Sequence, residues 1–96
     1  MDVFAKAAAD GIKRTGKPGT YRRANGEELP AHAVIQRDIE AIGEYGQALE
    51  RRTVARLLKS EIGTIGRHDE LRVGDETFRI RGLEADNGYV LVVVVS

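Results

Sequence analysis

Ninety-six residues carrying fifteen basic and fifteen acidic side chains give zero formal net charge. That balance lacks the global basic field of a dedicated nucleic-acid binder. The absence of cysteine excludes disulfide stapling and thiolate metal sites, and the length fits one domain around a single core.

The charge is nevertheless blocked. Residues 1–23 hold six basic and two acidic groups, residues 24–50 one basic and six acidic. Arg51, Arg52, Arg56 and Lys59 make the next block basic, and residues 60–96 are acidic overall. Opposed blocks suit head-to-tail association of identical subunits, with a solvated surface as the plain alternative. Residues 1–16 are too polar for a signal peptide. The one strongly apolar run, 89–95, is too short to span a bilayer as a helix. A soluble protein of a reducing cytoplasm, without membrane contact, is expected.

Asp2 is a candidate N-cap for a helix over about residues 3–14. Phe4, Ala7, Ala8 and Ile12 form a narrow apolar stripe, and Lys6, Asp10, Lys13 and Arg14 lie elsewhere on the wheel. Gly11 weakens this helix, so residues 1–16 read as a docked helix or a flexible arm that orders on docking. Thr15-Gly16-Lys17-Pro18-Gly19 breaks the pattern, and 17–96 reads as a single β domain. Its first strand covers 20–24, and Asn25-Gly26 is a hairpin turn of the favoured two-residue kind. A return strand over about 31–38 puts Ala33 and Ile35 on one face and His32, Val34 and Gln36 on the other, with Pro30 at its entrance. Residues 40–50, with two glycines and no steady period, read as a mobile loop of about ten residues, a short helix being the alternative.

Residues 52–59 form another strand, with Val54 and Leu58 opposite Leu57, and 60–66 connect it to a closing meander. There, Val73-Gly74-Asp75-Glu76 supplies one turn and Asp86-Asn87-Gly88 another. Between them Thr77-Phe78-Arg79-Ile80-Arg81 alternates, placing Phe78 and Ile80 inward and Arg79 and Arg81 outward. The final run Val90–Val95 is apolar on both faces. One face fills the core; the other needs a cover, either the N-terminal helix or a neighbouring subunit. The predicted fold is mainly β, a small antiparallel barrel or sandwich of five or six strands with an N-terminal helix or arm.

The pattern Asp69-x-Leu71-x-Val73-Gly74-x-Glu76-x-Phe78-x-Ile80, followed by Asp86-Asn87-Gly88 and a final apolar strand, resembles the C-terminal half of the lambda-type bacteriophage head-tail joining proteins. The likeness covers roughly residues 65–95 and is looser upstream. It implies a structural protein that joins the DNA-filled head to the tail in a ring, hexameric in that family, made in the host cytoplasm and then carried in the virion. Its implied partners are the portal-side connector protein, the tail-terminator protein and further copies of itself, with a monomer or weak oligomer when free.

Signals for chemistry are weak. Gly11-Ile12-Lys13-Arg14-Thr15-Gly16-Lys17 matches seven positions of a phosphate loop, but Pro18 stands where a magnesium-holding hydroxyl belongs, and the flanking elements are reversed. His32 and His68 lack the converging partners of a metal site. Glu27-Glu28 and Asp69-Glu70 are neighbours that point to opposite strand faces rather than acid/base pairs. No enzyme activity, cofactor or metal is expected. The candidate interface residues are Phe4, Ile12, Lys13 and Arg14 in the N-terminal segment, Tyr45 in the 40–50 stretch, and Arg51, Arg52, Arg79 and Arg81 on strands. The alternative is an OB-like barrel that binds nucleic acid. For it the only basic-aromatic cluster is Tyr21-Arg22-Arg23.

Overall fold

The computed structural model describes the backbone of residues 3–42 and 49–96 and the side chains of residues 6–37 and 52–96. Helix α1 (Val3–Thr15) is followed by β1 (Lys17–Arg22), β2 (Glu28–Ile42), β3 (Leu49–Leu58), the short helix α2 (Lys59–Ile62), β4 (Glu70–Val73), β5 (Glu76–Asp86) and β6 (Val90–Val95). The strands close into a barrel in the order β1-β2-β3-β6-β5-β4, every pair antiparallel. The mainly β barrel with an N-terminal helix expected from the sequence is the observed fold.

Local chemistry explains where the elements start. Thr15 Oγ1 donates to the Gly11 carbonyl at 2.7 Å, and the Gly16 N–H donates to the Ile12 carbonyl at 2.7 Å, which ends α1. β1 then begins at Lys17, three residues earlier than the breaker-like Pro18-Gly19 led us to expect. Those residues serve barrel closure instead. A Cβ on Gly19 would lie 2.3 Å from the Arg72 carbonyl, so only glycine lets β1 approach β4 this closely. Pro18 pairs with His32 of β2, while the β4 ladder starts one residue later at Gly19–Val73.

The turn glycines Gly26, Gly74 and Gly88 all have positive φ. The first hairpin differs from the expected two-residue form. The Arg23 N–H bonds the Glu27 carbonyl at 2.8 Å around Ala24, Asn25 and Gly26, the wider loop that ends in a left-handed glycine.

The sequence reading of 40–50 as a loop is replaced by paired backbone. β2 and β3 continue together through Ile39–Arg52, Glu40–Arg51, Ala41–Glu50 and Ile42–Leu49. A register shift between Gln36 and Ile39 breaks the alternation of β2 just before this stretch. Residues 43–48, and with them the expected mobility of this stretch, lie outside the described residues. The connector after β3 also contains α2, whose Ile62 is buried.

Inside the barrel, Tyr21, Ala31, Ala33, Ala55, Leu57, Leu71, Phe78, Ile80, Leu91, Val93 and Val95 form one cluster. A second cluster outside joins Ile12 of α1 to Leu58 and Val90, with Ala9, Val34 and Tyr89 packed around it. The helix therefore covers one end of β6's outer face. Val92 and Val94 on the same face stay half-buried. Two ion pairs join elements on either side of β6: Arg52 to Glu84 at 4.0 Å, and Lys59 to Asp86 at 2.8 Å. Since β6 lies between β3 and β5, both span it, and the carbon stems of such side chains can shield apolar surface while their charges stay wet. The Lys59 bond, then the Gly88 N–H, hold the Asp86 carboxyl below its ordinary pKa. That contribution is complete above the unfolded carboxylate pKa and is lost as pH falls through the lowered one.

The inside-outside register of β5 agrees with the sequence reading: Phe78 and Ile80 are buried, Arg79 and Arg81 exposed. Phe78→Ala should cost about 3–5 kcal/mol through the cavity it leaves, and Arg79→Ala no more than about 0.5 kcal/mol. Urea melts of the two variants check this, and a larger loss from Arg79→Ala would mean a slipped register.

Candidate docking surface

The surface is built around a buried carboxylate. Asp69, 5% exposed, accepts from Tyr21 Oη at 2.5 Å and the Gly66 N–H at 2.8 Å through Oδ2, and from the Ala24 N–H at 2.9 Å through Oδ1. Its own N–H reaches the Gly66 carbonyl at 3.1 Å, and its carbonyl takes the Ile80 N–H at 3.1 Å. Burial, then the bond to Asp69, push the Tyr21 phenol far above its ordinary pKa, so it stays a neutral donor. Three donors converge on one carboxylate. The segment entering β4 is thereby fixed to both β1 and β5.

That fixed segment forms one wall of a groove of about 510 Å³ lined by Arg67, His68, Asp69, Glu70, Arg79, Ile80 and Arg81. The other wall is the outer face of β5. Backbone bonds between Arg79 and Ser96, at 2.8 and 3.1 Å, continue the ladder past β6, and Arg81 Nε donates to Ser96 Oγ at 2.5 Å. Among the described residues, no ion pair engages Arg67, Arg79 or Arg81. Glu70 faces Arg79 across the ladder but makes no ion pair with it.

The structure thus brings Arg79 and Arg81 together with Arg67, which sequence reasoning did not single out, and His68, which it weighed only as a metal ligand. Arg52 is bound to Glu84 and serves the span across β6. Ile12 is 6% exposed, so it anchors α1 to the barrel rather than facing a partner, a correction to its reading as an interface residue. Of the expected stripe, Ala7 and Ala8 are exposed; Ala9 is the helix residue that packs beside Ile12 against Leu58 and Val90. Lys13 and Arg14 beside it are exposed. They form a separate basic surface, since α1 packs on β2, β3 and β6 while the groove lies on β4 and β5. The side chains of Phe4, Tyr45 and Arg51 lie outside the described residues.

Other candidate chemistry is absorbed by the fold. Tyr21 is fully buried, and Arg23 donates to the carbonyls of Ile62 and Thr64 and to Glu27, so the basic-aromatic cluster offers no stacking platform. Phe78 is also buried. His32 pairs with Glu61 through Nδ1 at 2.8 Å and through its backbone N–H at 2.8 Å. The phosphate-loop-like stretch is the last turn of α1, and it ends a helix where such a loop would begin one.

The family model described as Phage Head-Tail Attachment protein matches residues 1–95. No curated protein matches the chain.

The groove's rigidity should depend on Asp69. Tyr21→Phe should cost about 1.5–3 kcal/mol, the range for a hydrogen bond to a charged group. Asp69→Ala should cost about 3–5 kcal/mol, because three donors lose their acceptor at once. Equal losses in urea unfolding would show that the carboxylate is not the hub.

Proposed function

Because this chain belongs to the phage head–tail attachment family, we propose that it acts as a ring of identical subunits at the connector. Its portal-side face meets the head and its other face the tail-terminator protein. Membership makes it a structural protein of the phage particle. The family match over 1–95 is the observation that carries this reading. The surface supports it: one closed barrel presents two separate basic surfaces, Lys13 with Arg14 on α1 and the guanidinium groove on β4 and β5. A two-sided adaptor needs two such faces.

The role is non-enzymatic. The family's structural character supports this, and the Asp69 carboxylate is taken up by three structural donors. The free protein is a monomer or weak oligomer in the host cytoplasm and becomes a ring on the virion, with residues 1–16 and the 40–50 stretch contributing assembly contacts. Among the described residues no helix is long and apolar enough to cross a membrane.

An extract of heads and tails lacking this chain should yield infectious particles only after the purified protein is added. Joining that proceeds without it overturns the reading. Lys13→Gln combined with Arg14→Gln, both exposed in α1's last turn, should cost no more than about 1–2 kcal/mol through the lost helix-dipole interaction, and lower the yield of joined particles by about tenfold or more. Full joining by that variant would remove the helix face from the interface.

A further inference from the structure

We propose that the open edge of β5 beyond β4, residues 81–86, takes an added strand: an extended, acidic segment of a partner protein. The proposal goes beyond the ring reading, because it names a binding surface and the chemistry of its ligand, whichever protein supplies the strand.

The backbone carries the argument first. β4 pairs with β5 only from Glu76 to Arg79, and the Ile80 N–H still reaches the Asp69 carbonyl at 3.1 Å. From there to Asp86, β5 pairs with β6 alone. Among the described residues, no backbone bond joins 81–86 to the connector that precedes β4. Ladder groups on that side are therefore left to solvent. Two register shifts against β6, between Ile80 and Gly82 and between Leu83 and Ala85, mark bulges, and a bulged strand bends. Two hollows lie between the connector and this part of β5. One is the basic groove of about 510 Å³, the other measures about 360 Å³, and Arg67 lines both.

An extended polypeptide is the occupant such an edge selects. It offers N–H and C=O groups at ladder spacing, and hollows beside the edge then choose its side chains. Nucleic acid offers no such ladder, and no phenylalanine, tyrosine or tryptophan lines either hollow to stack a base. Charge sets the sign. Arg67, Arg79 and Arg81 are exposed, and none is in an ion pair among the described residues. Guanidinium groups presented this way take carboxylates through two parallel hydrogen bonds. Nearby acids are already committed: Asp69 to three donors, Glu84 to Arg52 and Asp86 to Lys59. Against Glu70 alone, three guanidinium groups leave the groove basic.

The second hollow adds an apolar requirement. Leu83 is 49% exposed, and Ile65 and Leu91 line the hollow with it, so an aliphatic side chain of the added strand would cover it. Neither lysine nor proline guards residues 81–86, while the bulges resist flat pairing with a second rigid barrel. That combination suits a flexible segment able to follow the bend.

A short synthetic peptide alternating aspartate with valine is the probe, titrated into the isotope-labelled whole chain and followed by NMR. We expect the amides of 81–86 to shift together and their hydrogen exchange to slow at saturation. N-methylation of one alternate set of peptide amides should abolish binding, and of the other set should leave it intact, since only one edge of the peptide faces β5. Lysine in place of aspartate should weaken binding about tenfold or more, as should Arg79→Gln with Arg81→Gln in the protein. The lysine peptide carries the charge test alone should that variant fail to fold. No response at 81–86 overturns the proposal, as does binding indifferent to charge or to both sets of N-methyl groups. Shifts at 81–86 that grow with protein concentration in the absence of peptide assign the edge to a second copy and overturn the partner reading. Tighter binding of a DNA oligonucleotide at the same amides assigns the groove to nucleic acid and overturns it too. Peptide binding as expected, in a protein that fails to join heads to tails, supports the edge and removes only the junction reading.

Discussion

The hydrogen bond from Tyr21 to Asp69 is the constraint on which the barrel depends. It joins β1 to the segment leading into β4, the place where the first and last strands of the closed sheet must meet. A buried carboxylate costs free energy unless its lone pairs are engaged, and here two backbone N–H groups from Ala24 and Gly66 complete the set. Gly19 supplies the matching steric condition two residues before Tyr21, letting β1 run against Arg72. Polar satisfaction and close approach act on the same seam. Loss of either would loosen the wall that carries Arg67 and His68.

The second organising problem is β6, apolar on both faces. Its inner residues Leu91, Val93 and Val95 fill the barrel. Outside, α1 covers Val90, and ion pairs spanning from β3 and α2 to β5 lie across the strand. The chain thus covers much of this strand itself, and the helix has a structural role on its inner face and an exposed basic edge at Lys13 and Arg14. One element serves packing and surface charge together.

Much of this was legible in the sequence because strand alternation and turn chemistry are local. Phe78 and Ile80 against Arg79 and Arg81, and the turns at Gly74 and Gly88, follow from a two-residue period and from positive φ. Three things were not legible. The continuation of β2 and β3 to Ile42 and Leu49 was hidden by the register shift between Gln36 and Ile39, which breaks the alternation on which a strand is recognised. The start of β1 was hidden because Pro18 and Gly19 usually mark breaks, whereas here barrel closure requires the missing side chain. The groove depends on Asp69, whose partners come from residues 21, 24 and 66, a convergence that spacing along one strand cannot reveal. Ile12 shows the same limit: a stripe residue looks alike whether a partner or the chain's own barrel buries it.

The strand order also sets a timetable for folding. The β4–β5 and β5–β6 ladders join neighbours through short turns, so closing them costs little chain entropy. The ladder that pairs Gly19 with Val73 joins segments far apart in the chain, and its loop closure must precede any reward from the Tyr21 hydrogen bond. The meander is therefore the natural early scaffold and the β1–β4 seam a late one. Until that seam forms, the edges of β1 and β4 stay open to pairing with other chains. Newly made protein is most exposed to mispairing in that interval, and closure of the seam brings it to an end.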